Sequence, residues 1–409
     1  MPYFQIFLLI ASVWAIGRVF RQFNWPPLFG EILAGIIVGP VVLGVVEESE
    51  AIKVMAELGI FFLMLHAGLE TSPKDLFKAS KRAVLVGVAG VVLPFALGLG
   101  VSHLFGYSFT ESLFIAMGLS ITAIAVSAKL FKDYAIMNSR VAHITMGAAI
   151  IDDILGLILF SVVLSIAEKG HIDAVELSIL IGKIVAFFGI VLFLGKRFFR
   201  QLNKVLYAGN KAFTFTIIVA LGFGLVAEAI GLHIIIGAFL AGLFLREEII
   251  EVGLFNKIED RVYGLSYSLF GPIFFASLAF HLDFSAFKTA ALFTVVVILV
   301  ATLGKIVGCG LAARMTKLGP KESLGIGLAM NSRGAVELII ASIGLEYGVI
   351  GTEVFSVLVV MAFATTIISI IGLKPLVKYL PVGTADSVPK HEIQPKQKCH
   401  QTQLYWRSW

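Results

Sequence analysis

Apolar runs about as long as a bilayer is thick, repeated along almost the whole chain, restrict this sequence more than any other feature. A helix needs roughly 20 mostly apolar residues to cross the hydrocarbon core. Thirteen segments meet or approach that length: 3–20, 27–46, 51–70, 82–106, 109–130, 138–166, 174–196, 212–230, 232–246, 263–282, 285–313, 322–345 and 350–373. Composition agrees. Of 409 residues, 58% are hydrophobic and only 14% are charged, against about 25% charged in soluble domains. The runs are continuous rather than short alternating stretches, which selects helices over a membrane barrel. The expected fold class is therefore all-α, a polytopic membrane protein with about thirteen transmembrane helices. Two cysteines, Cys309 and Cys399, exclude a disulfide scaffold.

Basic residues orient these segments. Arg18 and Arg21, Lys74 to Arg82, Lys129 to Arg140, Lys196 to Lys211, Arg246 to Arg261 and Arg314 to Lys321 all follow odd-numbered segments. Connections after even-numbered segments hold only Lys53, Lys169 and Lys288. By the positive-inside rule the odd connections are cytoplasmic, with the N-terminus outside and the C-terminus inside. The first run lacks a basic start and a small-residue cleavage site, so it reads as a span and not a signal peptide. Residues 381–409 are polar and are expected to be a disordered tail. The G-x-G-x-x-A string at Gly222 lies within an apolar helix with no strand before it, and so marks no dinucleotide site.

The chain also echoes itself. LFGEILAG at 28–35 resembles IIGAFLAG at 235–242, pairing Gly30 with Gly237 and Gly35 with Gly242. Ile60-Phe61-Phe62 and Leu69-Glu70 recur at Ile273-Phe274-Phe275 and Leu282-Asp283, and Gly118-Leu119 recurs at Gly327-Leu328. The three matches are collinear and their offsets nearly constant. Seven spans separate the members of each pair, so the copies run in opposite directions through the bilayer. Inverted repeats are a signature of secondary transporters, whose sites lie at discontinuous helices near the midplane. The last pair, 109–130 and 322–345, contains the breaks: Ser120 and Thr122 in the first, and Asn331, Ser332, Arg333 and Gly334 in the second.

Charges deep in a span are costly and functional by default. Asp152, Asp153, Lys305, Arg333 and Glu337 are the clear cases, whereas Glu31 and Lys183 lie near enough to segment ends to snorkel or cap. Adjacent aspartates point about 100° apart on a helix, so they do not face one partner equally. Two close carboxyls in lipid resist losing both protons, and a buried lysine can give up its own. One Asp paired with Lys305 and the other free for a proton or cation forms a proton-exchanging unit. Arg333 and Glu337, four residues apart on one helix, read as an internal salt bridge.

On the GEILAGIIVGP stretch, LGIFFLMLHAGLE, the IIDD pair, Gly304-Lys305 and MNSRGAVEL, the chain resembles the cation:proton antiporter 2 family over about residues 1–380. Within that family it is most similar to electrogenic bacterial and archaeal sodium/proton antiporters. The resemblance implies a homodimer in the cell membrane and two crossed discontinuous helices. It also implies core helices at about 51–166 and 263–373 moving in an elevator-like way against scaffold helices at about 3–46 and 174–246. It implies that Asp153 alternately binds the cation and the proton, that Asp152 pairs with Lys305 when no sodium is bound, and that Thr122 offers polar groups to the ion. Ser120, Asn331, Ser332, Arg333 and Glu337 become unwound-helix and core-structuring residues. Retention of Asp152, where electroneutral members carry Asn, implies two protons per Na+ or Li+ and a part in pH homeostasis. A K+/H+ antiporter of the same family is the alternative. Cations, protons and lipid are the implied partners, with no cofactor, no nucleic acid and no enzymatic activity. An intramembrane aspartyl protease would need its aspartates on separate helices, and an ion channel would need a selectivity filter; the sequence offers neither.

Overall fold

The computed structural model describes residues 2–23, 25–71, 80–169, 175, 178–184, 186–187, 189–190, 212–248 and 252–380. The expected tail at 381–409 and much of the segment at 174–196 lie outside them. The described chain is helical, with no extended strand among its residues. Among the described residues eight helices are long and apolar enough to cross a membrane, and shorter or broken helices occupy the remaining described segments.

In order these are α1 (Pro2–Gln22), α2 (Pro27–Val38), α3 (Glu50–Glu70), α4 (Lys81–Leu104), α5 (Phe109–Ser120), α6 (Ile124–Asp133) and α7 (Arg140–Lys169). After the partly described helical stretch at 178–190 come α8 (Ala212–Ala229), α9 (Ile234–Glu248), α10 (Val252–Tyr263) and α11 (Gly271–Leu278). Then follow α12 (Ala291–Met315), α13 (Pro320–Met330), α14 (Ala335–Glu346) and α15 (Thr352–Leu373). Local chemistry sets several starts. Ser49 and Ser80 accept from Ile52 N and Ala83 N to cap α3 and α4. Ser108 and Glu111 form a reciprocal capping box at α5.

Two expected spans change extent. The segment at 27–46 is helical only to Val38, because Gly39 precedes Pro40 and a residue before proline is disfavoured in the α conformation. The segment at 263–282 begins earlier, at Val252, and runs through a π-helical turn, Gly264–Phe270, before α11. Lys257 and Arg261 thus lie on a helix and not in a loop.

Glycine contacts join the repeats. Gly35 and Gly242, matched in the internal repeat, each lie against a carbonyl of the next helix in the other copy: Ala276 for Gly35 and Leu65 for Gly242. A Cβ at either position would overlap that oxygen. Gly68 meets the Phe239 carbonyl in the same way, so α3 and α9 approach backbone to backbone. Packing gathers α1, α2, α3 and α8 to α11 into one bundle, and α4 to α7 with α12 to α15 into another.

Candidate functional site

Both expected discontinuities are present. α5 ends at Ser120, whose hydroxyl donates to the Ala116 carbonyl at 2.8 Å, and the chain is extended through residues 121–123 before α6. α13 stops at Met330 and α14 resumes at Ala335, with a bend of 42°. The breaks cross. Ala123 N donates to the Ser332 carbonyl at 2.8 Å, and Ser332 Oγ donates to the Ala123 carbonyl at 3.2 Å. Thr122 Oγ1 donates to the Met330 carbonyl at 3.0 Å, and Ser127 Oγ to the Ala329 carbonyl at 2.6 Å.

Each interruption exposes a helix C-terminus, with carbonyls lacking partners, and a helix N-terminus, with spare N–H groups. Charges complement these ends as the helix dipole requires. The Arg333 guanidinium donates to the Leu119 carbonyl at the end of α5. Glu337 occupies the first turn of α14 and lies 3.3 Å from Arg333 Nε. The Asp152 carboxylate accepts Thr122 N at 2.8 Å, just before α6 begins. Asn331 Nδ2 donates to the Thr365 carbonyl and Ser369 Oγ on α15, and Arg333 N donates to Thr366 Oγ1.

α7 carries the aspartate pair past this crossing. Asp152 and Lys305 are both fully buried, with Lys305 Nζ 2.7 Å from Asp152 Oδ1. Gly304 and Gly308 let α12 approach α4 closely, against Pro94 and the Ala89 carbonyl. On α4, a Cβ added to Gly90 would lie 3.7 Å from Lys305 Nζ and 2.7 Å from Cys309 Sγ. The lysine therefore occupies a slot between two small-residue faces. Asp152 uses one oxygen for Lys305 and the other for Thr122, and is fully engaged. Asp153 is half-buried and has no hydrogen bond or ion pair among the described residues.

The site thus brings Thr122, Asp152, Asp153 and Lys305 to one crossing, with Asn331, Ser332, Arg333 and Glu337 bracing it. The Thr122 hydroxyl is committed as a donor to Met330, leaving its oxygen lone pairs for another group. Glu31 is 8% exposed within α2, beyond the first turn, and so neither snorkels nor caps. Lys183 is exposed and donates to the Ile230 carbonyl at the end of α8, which is a cap. Sequence reasoning missed Ser127, which ties both breaks together, although it lies in the same polar stretch as Ser120 and Thr122. It also passed over the ring of His66, buried in α3.

The chain matches the family described as sodium/hydrogen exchanger, transmembrane, over residues 7–379. It is 31% identical to the Na(+)/H(+)-K(+) antiporter GerN of Bacillus cereus, over 95% of this chain and 98% of that protein. It is 29% identical to a Na(+)/H(+) antiporter of Enterococcus hirae, over 92% of this chain and 99% of that one. The fold matches that of the sodium proton antiporter MjNhaP1 from Methanocaldococcus jannaschii at 17% identity and a TM-score of 0.72, covering 93% and 98% of the two chains. With nearly its whole described length matched, the chain belongs to the sodium/hydrogen exchanger family of multi-pass membrane proteins.

Proposed function

We propose that this protein exchanges Na+ or Li+ for H+ across the cell membrane, with Asp153 as the group that alternately holds cation and proton. The observation that carries the reading is the contrast within the pair: Asp152 is held by Lys305 and Thr122 N, whereas Asp153 beside it makes no hydrogen bond or ion pair among the described residues. Family membership and the names of the bacterial relatives support Na+/H+ exchange.

An ionised Asp153 offers a hard oxygen ligand of the kind a small cation needs, supplemented by Asp152, the Thr122 oxygen and the carbonyls freed at the breaks. A cation drawn to the pair weakens the attraction between Asp152 and Lys305, and Lys305 then releases its proton. Protonation of Asp153 on the other side expels the cation. Two protons entering per Na+ leaving moves one net charge per cycle, worth about 2.3 kcal/mol at 100 mV.

The bundle containing α4 to α7 and α12 to α15 is the unit that moves, elevator-like, against the other. The packing supports this division over a boundary at residue 51, because α3 is locked to α9 through Gly68 and Gly242. By the same logic α11 belongs with α2, whose Gly35 lies against the Ala276 carbonyl, and α10 packs on α3 and α8. We assign the N-terminus to the outside and the C-terminus to the cytoplasm from the distribution of basic residues, and a homodimer from the resemblance. K+/H+ exchange is the second reading, favoured by the K+ in the name of GerN.

Purified protein in liposomes carrying a pH-sensitive dye tests both. Na+-evoked proton movement that responds to a clamped membrane potential is the expected result. A response to K+ alone moves the assignment to the second reading, and Na+ exchange indifferent to potential removes Lys305 from the proton count.

A further inference from the structure

A cavity of about 290 Å³ lies in the seam between the two bundles, and the exchange cycle above does not use it. Ser161 and Ser165 on α7 and Tyr347 just after α14 line it from the bundle that moves. Glu228 on α8 and His233 just before α9 line it from the bundle that stays fixed. All five lie at segment ends that the distribution of basic residues puts outside. A space of that size, walled by a carboxylate, hydroxyls, a phenol and an imidazole, holds several waters.

An apolar barrier separates this wet space from Asp153. Residues four, seven and eleven places apart share one face of a helix, so Leu157, Phe160 and Leu164 follow Asp153 along the same side of α7. All three are buried, and Phe160 is 0% exposed. Seven residues rise about 10 Å, which sets the Phe160 ring between the aspartate and the cavity. That ring meets the His233 imidazole edge-on, with centroids 5.8 Å apart, a favourable aromatic geometry. The imidazole is itself fixed, since its Nδ1 accepts Ile235 N at 3.4 Å and its ring stands 6.2 Å from that of Tyr347. The contact therefore crosses the seam, with Phe160 on one bundle and His233 on the other. Toward the cytoplasm no such layer intervenes: Asp153 keeps some exposure, and it lies within electrostatic reach of Glu70, whose side chain is 44% exposed at the end of α3.

We propose that Phe160 and His233 form the external gate of the exchanger, and that the cavity beyond them is its external vestibule. In this conformation the pair closes the outward path while Asp153 faces the cytoplasm. When the bundle carrying α7 moves outward, Phe160 leaves His233 and Asp153 rises to the vestibule. There the Glu228 carboxylate, the serine hydroxyls and water receive the departing cation with oxygen ligands. The gate also enforces coupling. A carboxyl reached from both sides at once would pass protons down their gradient with no cation moving the other way. The inference rests on the reading of Asp153 as the alternate binder and of the α7 bundle as the moving unit.

The test is the decay of an imposed pH gradient in proteoliposomes without Na+, for wild type, Phe160→Ala, His233→Ala and each of these combined with Asp153→Asn. Removing either ring joins the site to the vestibule by a gap wide enough for water, so each single variant should collapse the gradient at least about tenfold faster than wild type. Adding Asp153→Asn should return the decay to the wild-type rate, which a leak through a damaged bundle would not do. If Phe160→Ala is not recovered as folded protein, His233→Ala carries the same test. Wild-type tightness in the folded ring variants overturns the gate, and so does a leak that persists beside Asp153→Asn. Na+-evoked exchange at the wild-type rate by Asp153→Asn alone overturns the underlying reading, and the gate with it.

Discussion

Ala123 and Ser332 exchange hydrogen bonds across the two helix breaks: the amide of Ala123 donates to the Ser332 carbonyl, and the Ser332 hydroxyl donates back to the Ala123 carbonyl. Two interrupted helices that each leave backbone groups unpaired in a membrane interior thereby satisfy one another. The breaks form one unit, held together by backbone groups as much as by side chains.

Ser127 is the third brace of that unit, bonded at once to the Ala329 carbonyl and to Ser332 Oγ at 2.8 Å. Ser127→Ala removes the shorter of the two donors to the buried Ala329 carbonyl, the other being Ser332 Oγ at 3.1 Å. The expected loss is that of a net hydrogen bond, about 0.5–1.5 kcal/mol, read as a lower melting temperature of the detergent-solubilised protein. A melting temperature equal to wild type would show that the breaks are held elsewhere.

The breaks were legible in sequence because Gly, Ser, Thr and Asn interrupt otherwise uniform apolar runs at matched places in the repeat. The deep charges were legible for the same reason, since Asp152, Asp153, Lys305, Arg333 and Glu337 stand out in lipid-length segments. Partnership was harder to read. Which oxygen of Asp152 meets Thr122 N depends on where α7 crosses a chain segment 30 residues earlier, and no periodicity encodes that. The π turn at Gly264–Phe270 was invisible because nothing in Gly-Leu-Ser-Tyr-Ser-Leu-Phe distinguishes it from a turn of α-helix, and the Ser266 contact with the Phe62 carbonyl that meets it comes from a distant helix. His66 was overlooked because it sits in a run dominated by Leu and Phe.

The two matched glycines give a symmetric prediction. Gly35→Ala and Gly242→Ala should each lower the melting temperature, because the new methyl overlaps a backbone carbonyl that cannot swing aside as a side chain would. Overpacking of this kind costs about 1–3 kcal/mol. Gly222→Ala is the control, since nothing lies within 4 Å of its added Cβ. Fluorescence-detected size-exclusion after heating reads all three. Equal melting of Gly242→Ala and Gly222→Ala would show that α3 and α9 are not locked.

Lys305→Met removes one partner of a fully buried ion pair and strands the Asp152 carboxylate. Stranding a buried charge costs about 3–5 kcal/mol, so the single variant should melt well below wild type. Adding Asp152→Asn removes the stranded charge while keeping an acceptor for Thr122 N, and should recover most of the loss. The double variant should also exchange Na+ without responding to membrane potential. Stability unrecovered in the double variant would mean that Lys305 holds the fold through contacts other than Asp152.

Asp153→Asn separates function from stability. Among the described residues its carboxylate makes no hydrogen bond or ion pair, so the isosteric amide takes nothing from the fold, and its melting temperature should match wild type. The amide cannot ionise, so it neither captures a cation at alkaline pH nor carries a proton back. Exchange measured in proteoliposomes should fall to the level of empty liposomes at every pH, not merely shift its optimum. The two readouts together are the stringent form of the test: a destabilised variant would leave lost exchange attributable to unfolding, and exchange retained in a stable variant would move the binding role to another carboxylate.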